Sequence, residues 1–375
     1  MKIPHKNYIV SEVKKGDYVL QVNNNSYLVG EVIFQILKKN LEFSNEEEVY
    51  FSLIENYEDI TSKEIDKIIE EKIYPLFQKQ HNINNNPVKS VIKVFNPENF
   101  KGLIKILSVF YGKYFFWISF ALLSIINILF LFRDHNTNTI NTNNLYNLGY
   151  TFLFTIVVVF IHEFGHVASA YKYGVLTKEI GFGFYFVYPA FYTNLTEVWR
   201  LDKYKRTIIN LAGVYFQLII GFALIIISYF LKNSELLYHM FYSNLLIVFF
   251  NINPLFKFDG YWIFSDWFEF YNLRETSQRV LLSFIGKSTF PEVKKSKKIL
   301  LISYSVLFFL FMVLIWFSLF RYLIFSSREL YQTLLINKEY TFNIEFFKKI
   351  IWFIVTLYLV LRILITNSKN IKKLI

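Results

Sequence analysis

The stretch Phe160-Ile161-His162-Glu163-Phe164-Gly165-His166-Val167 sets two histidines four residues apart, with a glutamate beside the first. It closes an uncharged apolar run that begins near Tyr150. On a helix, positions i and i+4 stand one turn apart on the same side, so both imidazoles can reach one zinc ion. Glu163 adjoins them, placed to accept a proton from a water that the metal has acidified to a pKa of about 7.

Two histidines and a water leave a catalytic zinc one protein ligand short. The stretch Asn251-Ile252-Asn253-Pro254-Leu255-Phe256-Lys257-Phe258-Asp259-Gly260 offers a carboxylate in a segment loosened by Pro and Gly, which makes Asp259 the candidate third ligand. Pro254 breaks the helix so that a side chain and exposed backbone can turn toward a bundle interior, where unpaired backbone groups line a cavity. The other histidines, His5, His81, His135 and His239, are scattered and too few for the histidine boxes of a di-iron membrane oxygenase. The chain has no cysteine, which removes disulfides, thiolate zinc sites and thiol nucleophiles.

These residues sit in an unusually apolar chain. Hydrophobic residues make up 54% of its 375 positions and aromatic ones 20%, with 43 phenylalanines, a balance that excludes an ordinary soluble protein. Runs of about 20 apolar residues predict membrane spans. Six are expected, near Tyr114–Phe132, Leu148–Ala170, Thr207–Leu231, Leu237–Leu255, Ile299–Phe320 and Ile350–Ile365. A charged side chain inside such a span costs roughly 2.5–3.5 kcal/mol on insertion scales, so His162, Glu163 and His166 there are functional candidates. Gly165, Ala168, Ser169 and Ala170 keep that helix slim enough for a tightly packed interior.

The net charge of +11 resides mostly in loops beside the spans, where it signals topology and anionic-lipid contact, with no nucleic-acid partner expected. Lys172, Lys178, Arg200, Lys203, Lys205 and Arg206 follow the second span, and a further basic cluster from Lys257 to Lys298 follows the fourth. The positive-inside tendency makes these regions and both termini cytoplasmic, against the pull of Arg321, Arg328, Lys338, Lys348 and Lys349 on the other side. The amino terminus lacks the apolar core of a signal peptide.

Ahead of the spans the pattern changes. Residues 8–29 alternate apolar and polar positions around the turns Lys14-Lys15-Gly16-Asp17 and Asn23-Asn24-Asn25, predicting a small antiparallel sheet. Three helices follow: one with Val32, Ile33, Ile36 and Leu37 on a face, one opened by the Ser44/Glu47 capping box and carrying Val49, Leu53 and Ile54, and one opened by Thr61/Glu64 and carrying Ile65, Ile68, Ile69 and Ile73. Gln78 to Asn86, with His81, reads as a solvated linker, and Phe100 to Tyr111 as a helix lying in the interface. The expected organisation is a soluble α+β winged-helix-like domain over 1–80, a linker and interfacial helix over 81–112, a polytopic α-helical membrane core over 113–275, and further membrane helices over 276–375.

With the two motifs in hand, residues 150–275 resemble the site-2 proteases, the intramembrane zinc metalloproteases. That family carries H-E-x-x-H in one span and N-x-x-P-x-P-x-L-D-G in a later one. Here the second pattern stands as Asn251, Pro254, Asp259 and Gly260, with Phe256 and Phe258 in place of its second Pro and its Leu. The resemblance implies zinc held by His162, His166 and Asp259, Glu163 as general base and then acid, and Asn251 on the substrate backbone. Asn253 is a second polar candidate for substrate binding, or else a turn residue before Pro254. Gly181 to Pro189 falls where relatives insert a β-type loop that clamps an extended substrate, and its composition suits an interfacial aromatic belt as well. Where relatives carry Gly-Pro-x-x-Asn, this chain has Gly213-Val214-Tyr215-Phe216-Gln217, without the Pro.

The amino-terminal element order resembles the PqqD-like peptide-recognition domains, in which a leader peptide adds a strand to the sheet edge; an ordinary winged-helix domain shares that order. Together the two parts look like the bacterial peptide zinc metalloprotease subgroup. This implies cleavage of a small ribosomal precursor or other membrane-embedded peptide during maturation or export, in the bacterial plasma membrane with the amino-terminal domain cytoplasmic. It also implies a peptide or transmembrane protein substrate and, as candidate partner, a peptide exporter or its membrane-fusion subunit. The alternatives are regulated proteolysis of a signalling membrane protein and a zinc-bound, non-catalytic subunit of an export complex.

Overall fold

The structure is a computed structural model that describes residues 8–14, 16–22, 25–43, 45–56, 61–78, 88–133, 145–177, 179–185, 188–231, 235–270, 272–335, 349–362 and 365. His5, Lys15, Asn23, Asn24, Ser44, His81, His135, Lys178, Lys338 and Lys348, and with them the expected linker, lie outside the described residues. The chain divides into two compact units, Met1–Ile263 and Phe264–Ile375.

In the first unit, β1 (Tyr8–Lys14), β2 (Asp17–Val22) and β3 (Asn25–Val29) form an antiparallel meander in which Tyr8 faces Val22 and Tyr18 faces Val29. Helices α1 (Glu31–Glu42), α2 (Glu46–Asn56) and α3 (Ser62–Ile68) follow, the last running through a π-helical turn, Ile69–Ile73, into α4 (Tyr74–Gln78). The periodic apolar positions meet in one core: Leu20 and Val22 from the sheet with Ile36, Leu37, Val49, Leu53, Ile65, Ile69 and Ile73 from the helices. Thr61 and Glu64 form the reciprocal capping box that opens α3.

A strand that the alternation pattern did not suggest, β4 (Val88–Phe95), leads into the membrane region. It pairs antiparallel with β5 (Ile180–Tyr185), which pairs with β6 (Tyr188–Thr193), so the glycine-rich aromatic stretch folds as a hairpin with a third strand supplied from 85 or more residues upstream. Gly181 is needed there because a Cβ would overlap the Tyr192 ring. The expected interfacial helix is short: α5 (Lys101–Leu107) and a 3₁₀ turn, Ser108–Tyr111, which bury Ile104 and Tyr111 and expose Leu103, Ile106 and Val109.

The chain is a polytopic helical membrane protein: among the described residues five helices are long and apolar enough to cross a membrane. They lie in α6 (Lys113–Leu131), α7 (Leu145–Lys172), α8 (Lys203–Phe230), α9 (Glu235–Ile252) and, in the second unit, α12 (Lys295–Leu335). At the sixth expected span, Ile350–Ile365, a helix runs over 349–362, and the residues flanking it on both sides lie outside the described ones. The short α10 (Asp259–Trp267) and α11 (Leu273–Phe284) connect α9 to α12. Within the second unit, the Arg274 guanidinium stacks over Phe308 and Lys297 pairs with Glu269 at 2.8 Å.

Helix α8 is the centre of the first unit's bundle. The other elements bury 67% of its most apolar stretch, against 17% for α6. Asp202 caps it, its carboxylate accepting from the backbone of Tyr204 and Lys205. Helix α7 stops in a Schellman motif: Gly174 takes φ +75°, its N–H donates to Tyr171 and that of Val175 to Ala170. Between them, α7 and α8 touch backbone to side-chain-free backbone, because a Cβ at Gly165 would overlap the Ala212 carbonyl. Gly165→Ala should therefore force the two helices apart and destabilise the bundle by about 1–3 kcal/mol. A lowered thermal midpoint of the detergent-solubilised protein is the expected readout, and an unchanged midpoint would contradict the close packing.

Candidate metal centre

His162 and His166 project from α7 into the interior beside α8, 5% and 3% exposed. Phe160 and Phe164 on α7 pack against Phe95, and Phe160 also packs against Phe191, so aromatic rings from β4 and β6 close that side of the helix. Thr193 Oγ1 donates to the Glu163 carbonyl and fastens β6 to the motif's own turn.

Asp259 arrives through a sharp reversal. Helix α9 makes its last hydrogen bond from Asn253 N to Phe249 O, and Pro254, lacking an N–H, cannot extend it. Asn253 Oδ1 accepts from Leu255 N at 2.9 Å, an Asx turn that starts the reversal. Gly260 completes it, since a Cβ there would overlap the Ile252 carbonyl. The first residue of α10 thus folds back over the last of α9, and Asp259 lands on the histidine pair.

The distances are those of a metal site. His162 Nε2 lies 3.1 Å from His166 Nε2 and 3.1 Å from Asp259 Oδ2, and His166 Nε2 lies 3.5 Å from the same oxygen. Ligands at 2.0–2.1 Å on corners of a tetrahedron stand roughly 3.3 Å apart. The hydrogen bonds behind the rings decide what these atoms are. His166 Nδ1 is 2.7 Å from the carbonyl of Ile209, which can only accept, so Nδ1 carries the proton and Nε2 presents a lone pair. His162 Nδ1 is 3.0 Å from Gln217 Oε1, an oxygen that also accepts from Asn251 Nδ2 at 3.2 Å, and donation from Nδ1 to that oxygen leaves Nε2 bare. Three electron-rich atoms then face one another in a buried space, and Asp259 Oδ2 has no hydrogen-bond donor. A cation satisfies all three, and two imidazoles with one carboxylate suit zinc or ferrous iron.

The structure brings together His162, His166, Asp259 and Asn251, with Glu163 8% exposed on the same turn of α7. Asn253 directs its side-chain oxygen to the turn, and His239 pairs with Glu235 on α9. Two contributors lie at the ends of the Gly213–Gln217 stretch, to which the sequence comparison assigned no role. Gln217 is fully buried against His162, and Gly213, one turn earlier on α8, has no room for a Cβ because the His162 imidazole fills it. The available signal was an amide side chain, one of two with Asn210, within the apolar run from Thr207 to Leu231.

Over 160 residues the chain is 31% identical to a Bacillus subtilis (strain 168) protein named "Putative peptide zinc metalloprotease protein YydH", a match that covers 40% of this chain and 60% of the relative. The chain therefore spans about 60% of the length of this curated relative. No known family profile matches the chain, and no solved structure does.

Proposed function

We propose that this protein is a membrane-embedded zinc metalloprotease of the site-2 protease type. Its substrate would be a small ribosomally made precursor or another membrane-embedded peptide undergoing maturation or export. The observation that carries this reading is the convergence of Nε2 of His162 and Nε2 of His166 with Asp259 Oδ2, beside a buried glutamate. The similarity to a protein named as a peptide zinc metalloprotease supports it.

Zinc, when held by His162, His166 and Asp259, supplies Lewis acidity that lowers the pKa of water to about 7 and polarises a carbonyl. The protein's own groups do the rest. Glu163 takes a proton from the attacking water on its carboxylate and passes it to the nitrogen of the leaving amine, so that the amide C–N bond breaks as a C–O bond forms. Asn251 borders the centre where a substrate backbone would lie, and the β5–β6 hairpin offers an extended edge beside it. A helical substrate must unwind first, because its peptide carbonyls are engaged in hydrogen bonds. The half-buried aromatic wall of Phe95, Phe160 and Phe191 limits water on that flank.

In this reading the amino-terminal sheet and helices form a PqqD-like domain that takes a leader peptide and faces the cytoplasm. The spans lie in the bacterial plasma membrane among its lipids, with a peptide exporter or its membrane-fusion subunit as partner. Metal removal tests the whole proposal. Dialysis of the purified protein against a zinc chelator should abolish cleavage of a membrane-embedded reporter peptide, and stoichiometric zinc should restore it. Cleavage that persists in the metal-free protein would refute the assignment.

A further inference from the structure

We infer that Gln217, which is outside the ligand set, is a positioning residue for the metal centre: its side-chain oxygen selects the His162 tautomer that leaves Nε2 free, and joins that ligand to Asn251. The inference rests on the zinc reading above and gives a role to a residue that lies outside both the H-E-x-x-H turn and the Asn251–Gly260 stretch.

The two histidines are oriented by different means. His166 leans on a backbone carbonyl, that of Ile209, which no substitution of a side chain can remove. His162 has no such carbonyl and depends on the Gln217 amide at 3.0 Å. Its ring lies against the turn of α8 between Gly213 and Gln217, filling the space where a Cβ of Gly213 would stand. Gln217 is itself held. Asn251 Nδ2 donates to the same Oε1 at 3.2 Å, and Asn244 Nδ2 donates to the Gln217 backbone carbonyl at 2.9 Å, so two amides from α9 fix it from behind. Asn251 Nδ2 also stands 3.4 Å from His162 Nδ1, and both nitrogens lie against the same acceptor, Gln217 Oε1. The side chain is fully buried, so no water competes for the oxygen. Residues that hold the far nitrogen of a metal-bound histidine set its orientation and basicity.

The test uses the full chain in detergent and reads zinc affinity by chelator competition, together with the absorption spectrum of the cobalt-loaded protein. Gln217→Leu keeps the volume and removes the acceptor. It should bind zinc 10–100-fold more weakly and shift the cobalt bands. Gln217→Glu keeps an acceptor of greater strength and should bind zinc as tightly as the unaltered protein or more so. A Leu variant with unaltered affinity and spectrum would overturn the inference, for then the side chain only fills space. Should the Leu variant not fold, the Glu variant decides: loss of zinc from a folded Glu protein overturns the inference, and retention supports it. An unaltered protein that takes up no zinc at all fails the metal-site reading itself, and that result is distinguishable from the other two.

Discussion

Glu163→Gln leaves zinc in place and lowers peptide cleavage by roughly 10²–10⁴-fold, the range for loss of a positioned general base. The expectation follows from where the residue stands. The atoms that converge are His162 Nε2, His166 Nε2 and Asp259 Oδ2, and the Glu163 side chain is not among them. Gln preserves its size on a turn that is buried on every side, so the helix packing survives. What the amide cannot do is accept a proton from water and surrender it to the departing nitrogen. Zinc content measured on the purified variant, alongside hydrolysis of a reporter peptide that the unaltered protein cleaves, separates the two roles. Undiminished hydrolysis would remove Glu163 from the mechanism, and loss of zinc would move it into the ligand set.

Asp259→Ala has the opposite signature, because metal and activity go together. Two imidazoles remain, and an open third position leaves an incomplete catalytic zinc set. The weakening of zinc binding should exceed the 10–100-fold typical of residues that act one shell further out, and cleavage should fall to background. The fold should persist, since the reversal that delivers Asp259 depends on Pro254, the Asn253 turn and Gly260 more than on the carboxylate. Equilibrium competition against a chelator measures the first effect and a thermal melt checks the second. An Ala variant that retains zinc as tightly as the unaltered protein would mean that the carboxylate is incidental to the histidine pair. Asp259→Glu provides a graded comparison, as the added methylene pushes the carboxylate into a gap already as small as 3.1 Å.

Much of the fold was legible because it follows from local rules. Period-3.6 patterns in Ile36, Leu37, Val49, Leu53, Ile65, Ile69 and Ile73 found one core, and Thr61 with Glu64 marked a helix start, since both depend only on neighbours in the chain. Five of the six expected spans were legible for the same reason: length and apolarity suffice. Strand β4 was not. Its pairing partner, β5, lies far along the chain, and nothing between Val88 and Phe95 says which edge it will join.

What the sequence determined by itself was the chemistry on offer: an H-E-x-x-H turn in an apolar helix, a carboxylate after a Pro-broken one, and no thiol to compete. Residue types and their short spacings encode donor atoms, and helical geometry converts an i, i+4 spacing into a shared face without further information. Only the tertiary structure decided that Asp259 meets the two imidazoles at 3.1 and 3.5 Å, and that Gln217 and the Ile209 carbonyl turn both rings so that their bare nitrogens point inward. Those outcomes depend on how closely α7 approaches α8 at Gly165 and how tightly the chain folds back at Gly260. Both are contacts between backbones distant in sequence, where the decisive feature is the absence of a side chain, and a glycine's letter alone does not say which neighbour it admits.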